Sequence, residues 1–86
     1  MTKKQRENHI YSLLNVVLNN GFVTDRWGNH VKKQGDNIFR FKFMKNNLRF
    51  EVKKDVPKST WFNILSKPLI RITEEELNER IQRRVK

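Results

Sequence analysis

The chain has 86 residues, no cysteine and a formal net charge of +10. Its length makes a single domain, residues 1–86, the default. The absence of cysteine excludes disulfides and thiolate metal sites and fits a reducing cytoplasm. No apolar run approaches the length of a membrane span, so a membrane-spanning role is not expected.

Residues from Thr2 to Asn20 read as a helix. Thr2 and Gln5 have capping-box spacing. Ile10, Leu13, Leu14, Val17 and Leu18 recur at three- and four-residue steps and share a face. Gly21 stands where a left-handed cap is expected, with Phe22 able to fold back onto Val17. The basic start and apolar middle superficially resemble a leader. Ser12 and Asn15 interrupt the apolar part and a small-residue cleavage site is lacking, so a folded helix is expected instead. Lys3, Lys4 and Arg6 oppose the helix dipole. They are either a solvated first turn or cations reaching for a phosphate or acidic partner.

Phe22 to Trp27 reads as a strand, Gly28-Asn29 as a tight turn, and His30 to Lys33 as a short returning strand. Trp27, at a hairpin end beside Gly28, either packs in the core or, if exposed, stacks a base or anchors a protein partner. Gly35-Asp36 is a further turn. Ile38 to Phe43 and Leu48 to Lys54 form a hairpin around Lys45-Asn46-Asn47, where asparagine tolerates positive φ. Alternation places Phe39, Phe41 and Phe43 on one side of their strand and Leu48, Phe50 and Val52 on one side of theirs. A two-residue turn would set Phe43 against Phe50 and Lys42 against Glu51. A four-residue turn would set Phe43 against Leu48 and Arg40 against Glu51. Either register leaves an apolar face and a polar face carrying Arg40, Lys42, Arg49 and Lys53 with only Glu51 against them. A domain this small cannot forgo burying four such rings, each contributing about 1.5–3 kcal/mol, so the rings are expected beneath the first helix and the cations in water.

Pro57 ends that strand. Ser59 to Leu65 is a helical turn or an extended segment, with Trp61, Phe62, Ile64 and Leu65 apolar enough for the core. Leu69 to Ile72 is expected as a brief edge strand after Pro68. Thr73 caps a last helix, with Glu76 at capping-box spacing, acidic residues at its start and basic ones at its end. Its apolar stripe of Leu77, Ile81 and Val85 can dock on this domain or on another chain. From Thr73 onward four Glu balance Arg80, Arg83, Arg84 and Lys86, so the entire positive excess lies in the first 72 residues. Such a field attracts polyanions.

His9 and His30 are the only histidines and lack metal-ligand spacing, so surface or structural roles are expected and no metal or cofactor is implied. Asp36 followed by Glu51-Val52-Lys53 resembles the signature of the PD-(D/E)xK nuclease superfamily. That resemblance implies Asp36 and Glu51 holding Mg²⁺ and Lys53 positioning the attacking water. The proline that precedes the aspartate in the signature is absent here. The hairpin turn also leaves Asp36 on the order of 13–20 Å beyond the residue opposite Glu51. The order helix, strands, helix looks like double-stranded-RNA-binding domains, which use a basic start to their second helix, where this chain has three Glu. The aromatic strand also lacks the Gly pattern of RRM motifs.

The expected architecture is therefore α+β: helix, three-stranded antiparallel sheet, irregular apolar segment, helix. The expected function is non-enzymatic nucleic-acid binding, as in a small phage or mobile-element accessory factor; Lys and Asn usage suggests an AT-rich source genome. Arg40, Lys42, Arg49, Lys53 and Lys54 would neutralise phosphates, with Arg26, Lys32 and Lys33 extending the surface. The competing expectation is a module that regulates an acidic protein partner through the same face, or through Trp27, Trp61 and the tail helix.

Overall fold

Thr2 opens the first helix as expected. Its side chain accepts from the Gln5 backbone N–H at 3.1 Å while the Gln5 side chain accepts from the Thr2 N–H at 2.9 Å. In the computed structural model, which describes residues 2–85, this helix, α1 (Lys3–Asn19), is followed by β1 (Val23–Thr24), β2 (His30–Gln34), β3 (Asn37–Phe43), β4 (Asn47–Lys54), β5 (Phe62–Pro68), a 3-10 turn (Leu69–Arg71) and α2 (Glu74–Arg84). Lys86, counted above in the charge of the tail, lies outside the described residues. Gly21 adopts φ +88° just past α1, and a Cβ there would meet the Lys32 Nζ at 3.2 Å, so both backbone and space favour glycine.

The sheet is an antiparallel meander in the order β1-β2-β3-β4-β5. It has five strands rather than the expected three. One added strand comes from the short β1–β2 hairpin at the sheet edge; the other is the segment after Pro57, which is extended and pairs Asn47↔Pro68 through Phe50↔Leu65 and, beyond a bulge, Glu51↔Asn63 and Val52↔Phe62. The bulge inserts Ile64 and lets both Ile64 and Leu65 reach the core. Pro68 is tolerated because β5 is an edge strand. The expected edge strand at Leu69–Ile72 is instead a 3-10 turn over Leu69–Arg71, with Leu69 buried. The expected strand Phe22–Trp27 shrinks to Val23–Thr24. The Asp25 carboxylate accepts from the N–H groups of Trp27 and Asn29, both at 2.9 Å, and starts the turn early.

The β3–β4 register pairs Phe43 with Leu48 and Arg40 with Glu51, the second of the two alternatives. Phe39, Phe41, Leu48 and Phe50 are buried with Leu13 and Val17 of α1 and with Leu77, Ile81 and Val85 at α2. Both helices therefore cover one face of the sheet, and the stripe on α2 docks on its own domain. Phe41 and Phe50 stack with centroids 4.2 Å apart and planes 8° apart. Tight polar contacts hold the helices down. His9 Nε2 donates to the Leu69 carbonyl at 2.8 Å, Lys67 pairs with Glu76 at 2.5 Å, and Arg6 donates to the Lys45 carbonyl and the Asn46 side chain. Arg6, read from sequence as a solvated or partner-seeking cation, thus fastens the β3–β4 turn.

His30 sits on the covered face, buried, 3.0 Å from the Thr24 hydroxyl and edge-on to Phe43. Burial lowers its pKa below the ordinary 6.5, partly countered by the charge of Asp25. The unfolded chain therefore takes up this proton before the folded one does. The associated stability is complete above about pH 6.5 and is lost as pH falls toward the folded-state pKa. Urea midpoints are expected to fall between pH 7.5 and pH 5, and His30→Gln should flatten that slope relative to the unaltered chain. An unchanged slope in the variant would assign the pH dependence to other groups.

Candidate nucleic-acid interface

The face of the sheet opposite the helices carries, by register and alternation, Lys33, Ile38, Arg40, Lys42, Arg49, Glu51 and Lys53. Four of the expected phosphate ligands, Arg40, Lys42, Arg49 and Lys53, therefore share one surface, and Lys33 lies alongside. Lys32 does not. It pairs with Phe39 on the covered side, and its ammonium donates to the Asn20 carbonyl at 2.8 Å, where a cation complements the helix C-terminus. Lys54 pairs with Asn37 at the end of the sheet, also with the parity of the covered face.

The cations on the open face are not equivalent. Arg40 donates from Nε and Nη2 to one Glu51 oxygen at 3.0 and 2.7 Å, and their side chains are 18% and 9% exposed. Lys33 pairs with Asp55 at 2.7 Å, which raises its pKa through the hydrogen bond and the charge. Arg49 lies 4.0 Å from the second Glu51 oxygen and keeps a buried Nε without a partner. Lys42, Lys53 and Arg26 have no carboxylate partner among the described residues. The face is thus less positive than its list of cations implies. Its free charge rests on Lys42, Lys53 and part of Arg49, with Arg26 stacked on Trp27 in the β1–β2 turn.

A cleft of about 420 Å³ opens on this face between Asp25, Trp27, Val31, Ile38, Arg40, Lys53 and Trp61. The Trp61 ring lies under the Arg40 guanidinium at 3.8 Å, with the Lys53 ammonium 5.1 Å from its centroid. Trp27 is 71% exposed and carries the Arg26 guanidinium at 4.3 Å. Cation–π contacts of this kind are worth about 0.5–1 kcal/mol at exposed sites. The two tryptophans, far apart in sequence, thus meet across one concavity. Trp61 precedes Phe62, the partner of Val52, and so falls beside Lys53. That position becomes visible only once β5 is recognised as a strand.

Asp36 and Glu51 do not share a site. Asp36 lies in the β2–β3 turn, four residues from Arg40, the residue paired with Glu51, or about 13 Å at strand rise. Glu51 is engaged by Arg40. No group of three or more His, Cys, Asp or Glu side chains suited to a metal forms among the described residues. No helix among them is long and apolar enough to cross a membrane. Comparison with protein families, with curated proteins and with solved structures returns no match for this chain.

Proposed function

We propose that the chain binds nucleic acid through the open face of its sheet. The reading rests on one observation: Lys53, without a carboxylate partner among the described residues, lines a cleft together with both tryptophans, while Arg26 stacks on Trp27 and Lys42 lies on the same sheet face. Cations supply affinity for a phosphate backbone, while aromatic rings supply stacking surface for bases. With three or four phosphates neutralised on a single strand, affinity should fall roughly 20- to 50-fold between 50 and 200 mM salt.

The test is a titration with DNA and RNA, duplex and single-stranded, at those two salt concentrations. Lys42→Glu combined with Lys53→Glu should weaken low-salt binding at least tenfold, on the order of two lost phosphate contacts and two repulsive charges. Lys3→Glu combined with Lys4→Glu, on the helix side, makes the same change in net charge and should cost far less. Equal losses in the two pairs would reduce the effect to net charge, and no binding at low salt would overturn the proposal.

The exposure of Trp27 also favours a second reading, in which the same face engages an acidic protein surface with Trp27 and Trp61 as anchors. Recovery of an acidic protein whose binding is lost in Trp27→Ala, with no nucleic-acid affinity at low salt, would select it.

A further inference from the structure

We infer that the cleft between Trp27 and Trp61 receives an unpaired nucleobase, so that the interface selects single-stranded over duplex nucleic acid. This rests on the reading of the open face as a nucleic-acid interface and adds to it the ligand state and the residues that recognise it.

Contact with phosphates alone would call for cations and would need no aromatic rings. The open face instead concentrates both of the chain's tryptophans in a concavity whose volume, about 420 Å³, lies within the roughly 300–1,000 Å³ of small-molecule sites. It is lined by the two indoles, Val31 and Ile38, together with Asp25, Arg40 and Lys53. A base in a duplex has both faces stacked and its pairing edge occupied, so it cannot enter such a cleft. An unstacked base can, and proteins that read single strands stack such bases on aromatic rings and on arginine guanidinium planes.

The stacking surface is fixed before any ligand arrives. The Arg40 guanidinium lies 3.8 Å over Trp61 and is held by two hydrogen bonds to Glu51. Three side chains are thereby ordered in advance, which reduces the entropy lost on binding. Arg40, neutralised by Glu51, serves as a planar surface more than as a charge. The attraction for flanking phosphates falls to Lys53 beside Trp61 and to Arg26 on Trp27. Asp25 is the one carboxylate lining the cleft among the described residues, and its Oδ1 is taken by the N–H groups of Trp27 and Asn29. Every base presents a stacking face, so the site should tolerate sequence.

The chain has two tryptophans and both line the cleft, so its intrinsic fluorescence reports on this site directly. The experiment titrates the full chain at low salt with a short thymidine homopolymer and with a blunt duplex, following tryptophan emission and, separately, the anisotropy of labelled nucleic acid. The single strand is expected to quench the emission and to bind more tightly than the duplex. Loss of one stacking ring is expected to cost roughly 5- to 150-fold in single-strand affinity, with about a twofold change or less for duplex. Trp27→Ala carries this test free of folding effects, because Trp27 is exposed. Trp61→Ala, checked for folding by circular dichroism, repeats it, and Trp61→Phe should retain most of the affinity. Equal binding of both forms, unchanged by Trp27→Ala but weakened by Lys42→Glu and Lys53→Glu, would overturn the cleft assignment and leave the interface standing. No binding of either form at low salt would overturn both.

Discussion

Phe41→Ala is expected to lower the free energy of unfolding by about 3–5 kcal/mol. Phe41 is fully buried on β3, which is paired on both sides, opposite His30 and Phe50. It stacks on Phe50 and meets Phe22 edge-on at 5.0 Å, so truncation removes two aromatic contacts and opens a cavity at the centre of the layer. At about 0.05–0.15 kcal/mol per residue, a domain of this length has on the order of 4–13 kcal/mol in total. At the low end of that range the loss equals the whole stability of the domain, and at the high end it is roughly a quarter to two-fifths of it. Phe62→Ala provides the contrast. Phe62 has the same β-sheet parity but is 69% exposed, beyond the cover of the helices, and its loss should cost about 0.5 kcal/mol or less. Urea melts followed by circular dichroism measure both. Similar costs for the two would mean that the aromatic face is not the core, and the open face would lose its basis as the solvent side.

The elements legible in the sequence were those whose signals are local. Thr2 and Gln5 form the full capping box, and Thr73 caps its helix through the Glu76 N–H, although the Glu76 carboxylate turns to Lys67 instead of closing the box. Strict alternation in β3 and β4 sorts rings from cations. The part that was not legible depends on contacts between distant segments. The bulge at Ile64 places two adjacent apolar residues toward the core, which breaks the two-residue period and disguises β5. Asp25 can equally begin a turn or continue a strand, and only the closed turn shows which. Charge counting grouped Lys32 with the open face, although the parity of β2 sets it beneath the C-terminus of α1. The sequence offered both tryptophans as alternative partner anchors, Trp27 as a hairpin-end residue and Trp61 also as a core candidate, with nothing to bring them together. Their meeting follows from β5 lying beside β4 and from the Arg40 guanidinium reaching over Trp61.

That guanidinium makes Glu51 the most consequential polar residue of the sheet. Glu51→Ala is expected to destabilise the chain by about 2–3 kcal/mol. Breaking a fully buried ion pair costs roughly 3–5 kcal/mol because a charge is left without a partner. The figure is reduced here because the Arg40 side chain is 18% exposed, so water can reach the guanidinium once Glu51 is gone. The pair itself contributes much less than its rupture costs, since removing both charges also removes their desolvation penalty. Arg40→Met combined with Glu51→Leu should therefore recover most of the stability lost in Glu51→Ala. A double-mutant cycle from urea melts measures the coupling. Binding should respond differently from stability. Glu51→Ala adds a net positive charge to the open face and frees Arg40 and Arg49, so low-salt affinity for duplex should rise. The same change releases the guanidinium from its fixed plane over Trp61, so affinity for single strands should gain less. If Glu51→Ala left stability unchanged, the ion pair would be a surface contact of little energetic weight. The pre-ordered stack in the cleft would then lack its anchor.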